Sequence, residues 1–347
     1  MVFRIAIVLF AIAATGPSFA EEINILFLGN SFTARHDIAG LVEQVLEEGD
    51  PTTDVKVQRI IYGGQNMFKH STYYFSQSFI EQTTIAEDEI AQRILTMKEF
   101  LKSDVAPNQE EWEQHWAALG KTNVPFPDIH KHITKAIKNH EALLRNNPKT
   151  KWDYVVLQSW RDVSELPNQG YERYATTLAR IAKPQNAELI FYMTSPETQN
   201  QDPVTEPFNV AAADRDTKVG LRIASALQPK AVIPVPLAIK NIQTGEANKP
   251  GTDFVFRYHN DGHPNQTCAF LVANLFYAAM TGQNPKGLTF NSVTETKLKK
   301  GKDPDGGEPT VVFNNAEKAY LGRMAYESVL EFNRGSENQK RRKPDSY

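Results

Sequence analysis

Five apolar runs separated by stretches of helical pattern constrain this chain more than any other feature. They cover residues 23–28, 55–62, 152–157, 188–194 and 231–235. Each is short and rich in apolar residues, as a buried strand must be, although 55–62 also carries Lys56, Gln58 and Arg59. Helical periodicity fills 38–48, 84–102, 130–146, 171–182, 214–227 and 266–281. Strands that alternate with helices pair in parallel through right-handed crossovers, so helices cover both faces of the sheet. The expected fold class is therefore α/β, a three-layer α/β/α sandwich around a parallel five-stranded, flavodoxin-like sheet.

Residues 1–20 carry one positive charge at Arg4, an apolar stretch over 5–14, Pro17, and the small residues Ser18 and Ala20. That pattern reads as a secretory signal peptide cut before Glu21, and it places the mature protein in a periplasm or the medium. The leader has no cysteine to take a lipid anchor, and no other segment approaches the roughly 20 apolar residues of a membrane helix, so no integral membrane association is expected. Cys268 is the sole cysteine. A formal charge of −3 offers no basic surface for nucleic acid, which leaves a small-molecule or polysaccharide substrate.

Residues 21–335 read as one domain with a helical insertion around 80–150, between the second and third strands. The insertion holds Trp112, Trp116 and the turn Val124-Pro125-Phe126-Pro127. It forms either extra helices that bury their own tryptophans at the domain edge or a lid. Residues 291–309, rich in lysine, glycine and aspartate, read as a solvated loop. A last amphipathic helix follows over 316–333, then a mobile polar tail over 336–347.

Chemistry-bearing groups gather at the carboxyl ends of the strands, where ligand sites lie in open parallel sheets. The first strand runs into Gly29-Asn30-Ser31, a hydroxyl one residue beyond the strand, although such a tripeptide is also ordinary turn and N-cap chemistry. The second runs into Tyr62-Gly63-Gly64-Gln65-Asn66, where glycine lets a backbone N–H approach a ligand closely. Leu157-Gln158-Ser159-Trp160 ends the third, and Asn260-Asp261-Gly262-His263-Pro264-Asn265 precedes the helix over 266–281. Nucleophile, base and oxyanion donors each have a candidate on one rim. Among the other histidines, His130 and His132 point to different faces of a helix and do not suit a metal. His36 at most lines the cleft beside Asp37, a helix N-cap, and His70 edges the pocket or is half exposed.

These four motifs, in this order over most of the mature chain, resemble the SGNH hydrolases, the GDSL-like esterase superfamily. The resemblance implies that Ser31 attacks an ester carbonyl, His263 is the general base and Asp261 orients the imidazole. It also implies an oxyanion hole made by the N–H of Ser31, the N–H of Gly64 and the side-chain amide of Gln158. Asn30, Gly63, Trp160 and Arg161 are candidate substrate-lining residues, and neither a metal nor an organic cofactor is expected.

Two departures stand out. A subset of the superfamily reads Leu-Gln in the third block, where Gly-x-Asn-Asp is usual, and glutamine can donate the same N–H from a longer arm. The usual Asp-x-x-His is shortened to Asp261-x-His263, with Asn260 three residues before the histidine. Either a tighter loop still brings Asp261 to the ring, or Asn260 or a backbone carbonyl holds it. The leading expectation is an exported esterase for O-acyl, and in particular acetyl, esters on carbohydrates. A lipase- or thioesterase-like enzyme for longer acyl chains, and a catalytically silent carbohydrate-binding protein, stand as alternatives.

Overall fold

The five apolar runs form the five strands of one parallel sheet in the computed structural model, which describes residues 21–103, 107–126, 129–159, 162–194, 206, 208–245, 249–251 and 253–342. Residues 1–20, where a signal peptide is expected, Pro127, Trp160, Arg161 and the last five residues lie outside the described residues. The strands are β1 (Glu21–Gly29), β2 (Thr53–Ile61), β3 (Tyr154–Ser159), β4 (Glu188–Met193) and β5 (Ala231–Pro234). Their order across the sheet is β2-β1-β3-β4-β5, and every neighbouring pair is parallel. From β1 the chain steps to one side for β2 and then crosses to the other for β3. The point where the direction of winding reverses thus lies between β1 and β3, where a crevice opens at the strand ends. Leu28 pairs with both Ile60 and Leu157, so the three strands end close to one level.

Helices α1 (Ser31–Ala34) and α2 (Ile38–Gly49) follow β1. The connection from β2 to β3 holds α3 (Met67–Thr72), α4 (Gln77–Ile80), α5 (Glu87–Lys102), α6 (Gln109–Ala118) and α7 (His130–Asn146). Next come α8 (Tyr171–Ala182) after β3, α9 (Val210–Leu227) after β4, and α10 (Val235–Thr244), α11 (Gln266–Thr281) and α12 (Asn315–Arg342) after β5. Alternate strand residues feed two separate cores. Ile25, Phe27, Val156, Tyr192 and Ile233 pack with α2, α10, α11 and α12. Leu26, Leu28, Val155, Leu157 and Phe191 pack with α5, α7, α8 and α9. Because both faces of the inner strands are covered, these need no polar alternation and read as apolar runs, whereas the edge strand β2 leaves Lys56 and Arg59 exposed.

The insertion between β2 and β3 is helical and joins the second core. Trp112 is buried against Phe68 and Phe126, and its indole N–H donates to Val124 O at 3.1 Å.

Three sequence expectations need correction. Residues 291–309 are not merely a solvated loop: Ser292–Thr294 (β6) pairs antiparallel with Thr310–Val312 (β7), and Glu295 beside them is 1% exposed. The β-branched Val and Thr residues at the two ends of the segment support the pairing that its lysines and glycines obscure. Helix α12 continues through Arg342, past the residue where a polar tail was expected. Glu337, Gln339, Lys340 and Arg341 are good helix formers, and basic residues suit a helix C-terminus. Helix α10 was not among the expected helices; its Pro236 lies in the first helical turn, where proline is tolerated because the N–H groups there have no helical acceptor anyway.

The first core depends on α11. Its Phe276 is fully buried, with ring centroids 5.8 Å from Phe27 of β1 and 5.2 Å from Tyr192 of β4. Phe276→Ala leaves a cavity between helix and sheet and is expected to cost about 3–5 kcal/mol, read from urea unfolding.

Candidate active site

Beyond β1 the chain turns sharply into α1, and the turn is held from beneath. The Asn30 N–H donates to Gln158 Oε1 at 2.9 Å, and the Thr33 hydroxyl donates to the same oxygen at 3.0 Å. Gln158 is fully buried. A backbone N–H can only donate, so the atom facing it is the amide oxygen; this places Nε2 on the far side, donating to Thr194 Oγ1 at 3.0 Å. A Cβ on Gly29 would sit 2.8 Å from Gln158 Oε1 and 2.7 Å from Thr33 Oγ1, so only glycine leaves room for this contact.

The Asn30 side chain is equally committed. Its oxygen accepts from Phe32 N at 3.0 Å as the N-cap of α1, and its Nδ2 donates to Gln65 O at 3.0 Å. Asn30 thereby fastens the Ser31 turn to the Gly63-Gly64 turn, which is closed by Gln65 N donating to Tyr62 O at 3.1 Å. Gly64 has φ +69°, a value that favours glycine, and Gly63 is exposed. Among the described residues no protein acceptor meets the N–H of Ser31 or of Gly64.

The histidine arrives on a loop that crosses back on itself between the Arg257 and Pro264 bridge partners. His263 Nε2 lies 2.8 Å from the Ser31 hydroxyl oxygen, and Nδ1 hydrogen-bonds to Asp261 Oδ1. The carboxylate is an acceptor, so Nδ1 carries the proton and Nε2 is free to accept from the Ser31 hydroxyl. His263 N donates to Asp261 O at 2.6 Å, a three-residue turn that tightens the chain so that an acid only two residues away reaches the ring. Asn260 is exposed, and its N–H donates to Asp305 Oδ1 at 2.7 Å. Ser31 is half-buried and the His263 side chain is 26% exposed, so the pair opens to solvent.

Asp261 has a second partner that the sequence did not suggest. Arg35 Nη1 donates to Asp261 Oδ2 at 2.7 Å. Arg35 Nε donates to Glu295 Oε1 at 3.0 Å, and Nη2 meets Glu295 Oε2. Both Arg35 and Glu295 are almost wholly buried. Burial alone would raise the two carboxyl groups, but hydrogen bonds outweigh it. His263 and Arg35 hold Asp261 at about 2, and Arg35 with the Lys297 N–H holds Glu295 at about 2. An arginine four residues past the candidate nucleophile is the only signal in the sequence, and it is too weak to single out.

Other predicted groups sit elsewhere. Gln158, expected as an oxyanion donor, gives its amide to Thr194 instead, and Asn30, expected to line the substrate, is buried beneath the turn. His36 does not line the cleft: it is buried, 2.9 Å from Pro264 O and stacked on Tyr258. Asp37 occupies the N-cap position of α2 but spends its carboxylate on Arg59 rather than on the helix. His70 is fully buried between Gly29 O and Ser76 Oγ, and burial lowers it to about 4. No group of three potential metal ligands occurs among the described residues. A cavity of about 420 Å³ at the ends of β3 and β4 is lined by Ser159, Phe191, Met193, Thr194 and residues of α9; Ser31, Asp261 and His263 are not among its walls.

No protein-family model matches the chain, and no curated protein matches it. Among solved structures it is similar to a protein from Slackia heliotrinireducens described as "a putative SGNH hydrolase", at 18% identity, with a TM-score of 0.39, over 74% of this chain and 98% of that one.

The two depressed carboxyl groups set the response to acid. A carboxyl that titrates lower in the folded chain than in the unfolded one lends stability above its unfolded value, and that stability is lost as pH falls through the folded value. The melting temperature should therefore fall steadily between about pH 4.5 and pH 2, and more gently for Glu295→Gln, as calorimetry at a series of pH values would read.

Proposed function

We propose that this protein is an exported serine hydrolase that cleaves O-acyl esters through an acyl-enzyme on Ser31. The observation that carries the reading is the continuous relay from Asp261 Oδ1 through His263 to the Ser31 hydroxyl. In this scheme Ser31 Oγ attacks the ester carbonyl carbon as His263 Nε2 takes its proton, and Asp261 stabilises the imidazolium. The tetrahedral intermediate collapses, the C–O bond to the alcohol breaks, and His263 returns the proton to the leaving oxygen. Water then repeats the sequence on the acyl-enzyme and releases the acid. The N–H groups of Ser31 and Gly64 are the donors for the oxyanion in this reading, because each is fixed by its turn and neither has another protein acceptor among the described residues.

A short acyl group, acetyl in particular, on a carbohydrate is the substrate class we favour. The partly exposed Ser31 and His263 suit an ester presented on a bulky polar carrier, and the leader directs the chain to where such polymers are found. No described helix is long and apolar enough to cross a membrane. A preference for longer acyl chains is the second reading.

Treatment of residues 21–347 with a fluorophosphonate is expected to modify Ser31 and nothing in Ser31→Ala, as peptide mass spectrometry would locate. Absence of label on the folded protein would sink the reading. With a turned-over ester, Asp261→Ala should lower kcat by about 10⁴-fold while Asn260→Ala stays within about twofold. Rates on p-nitrophenyl acetate, butyrate and octanoate separate the two substrate readings, and a maximum at octanoate would reject the acetyl preference.

A further inference from the structure

The acid of the relay is held by a charge network that comes from two segments far from it in sequence. Asp261 Oδ1 is spent on His263. Its other oxygen faces Arg35 at 2.7 Å and the largely exposed Lys297 at 3.5 Å. Arg35 lies one helical turn beyond Ser31, so the same short segment carries both the nucleophile and the group that grips the acid. Its guanidinium is placed from three sides: Glu295 takes Nε and Nη2, Asp261 takes Nη1, and the Tyr258 ring of the histidine loop covers it at 5.3 Å. The planar fork of arginine can serve two carboxylates at once, which the point charge of lysine cannot do in the same geometry.

Glu295 has a second effect. An arginine bound to Asp261 alone would neutralise the charge that the imidazolium needs. With Glu295 attached, the Arg35 charge is already balanced, so Asp261 keeps its own for His263. The clamp thus fixes direction without removing charge. The hairpin segment also reaches the tip of the histidine loop, where Asp305 accepts from His259 N at 2.8 Å and Asn260 N at 2.7 Å.

We propose that Arg35, locked by Glu295 of the β6–β7 segment, is the positioning residue that holds Asp261 in line with His263 and compensates for the shortened Asp-x-His spacing. The proposal rests on the hydrolase reading for its kinetic consequence, but not for its structural one.

Removing Arg35 alone would leave Glu295 buried without a partner, a strongly destabilising change, so the test replaces both as Arg35→Met/Glu295→Met. Calorimetry first establishes that this protein melts cooperatively. Proton NMR then reads the far-downfield His263 Nδ1–H signal, which needs no substrate. It is expected in the unaltered protein, absent in Asp261→Ala, and broadened by exchange or lost in the paired variant. Where ester turnover is measurable, the paired variant should lose about 10²-fold in kcat with KM within about twofold, since misplacement by about 1 Å costs that much. Added to Asp261→Ala, it should cost no further kcat. A sharp, unchanged Nδ1–H signal in the folded paired variant overturns the clamp, as does a kcat loss that simply multiplies with that of Asp261→Ala. Turnover that survives in Ser31→Ala overturns the hydrolase reading instead and leaves the NMR comparison to decide the clamp. Should the paired variant not fold, Arg35→Lys, which keeps the charge beside Glu295, is read by the same signal and the same kcat comparison with the same expected and overturning results.

Discussion

The site depends on one buried amide. The oxygen of Gln158, at the end of β3, receives both the Asn30 N–H and the Thr33 hydroxyl from the turn that follows β1. That oxygen lies in a dry interior, where an unpaired donor would cost roughly 1–3 kcal/mol, so the turn cannot drift away from β3 without exposing its own polar groups to apolar surroundings. Thr194, at the end of β4, takes the other end of the same amide. Three strand ends are thereby tied together by a single side chain, at the place where the winding of the sheet reverses. Ser31 is held between residues that are both engaged, Asn30 with Gln158 and Phe32 with the Asn30 side chain.

A second tier of order is electrostatic and comes from outside the sheet. The histidine loop has little regular structure; its register comes from the Tyr258 N–H donating to His263 O and from Asp305 capping two of its N–H groups. Arg35 and Glu295 add the connection between that loop and the segment that carries Ser31. Such a buried ion network is costly to desolvate and is a poor way to gain stability, but it is an effective way to fix one geometry, because every departure leaves a charge uncompensated. The two tiers divide the work: hydrogen bonds to neutral groups hold Ser31, and ion pairs hold Asp261.

Much of the fold was legible because burial on two faces writes itself into sequence as apolar runs, broken only in the edge strand β2, and all five strands were found within two residues of their ends. The rim carrying Ser31, Gly64, Gln158 and His263 was legible for the same reason: topology brings strand ends together whatever lies between them. The direction of individual side chains was not legible. Gln158 and Asn30 carry amides at the right address, but whether an amide points up to solvent or down beneath a turn depends on which backbone donors are left over, and that follows from the turn geometry rather than from the motif. Glu295 was hidden by its company. Its neighbours Lys297, Lys299 and Lys300 read as solvated, and the burial of a single carboxylate among them depends on Arg35, some 260 positions away.

The shortened acid–base spacing and the arginine are two sides of one constraint. With a single residue between Asp261 and His263, the chain closes as a three-residue turn whose hydrogen bond joins the two backbones directly. A turn that tight brings the carboxylate to the ring from the side and leaves its second oxygen pointing across the cleft, toward the segment that follows the nucleophile. A cation placed there completes the carboxylate's hydrogen bonding, and a guanidinium does so while still gripping a second anchor. The cation must itself be balanced, or it would draw away the charge that the histidine uses. Glu295 supplies that balance from the same hairpin segment whose Asp305 caps the histidine loop. Short spacing, arginine, glutamate and hairpin thus form one dependency, in which each element makes the next necessary.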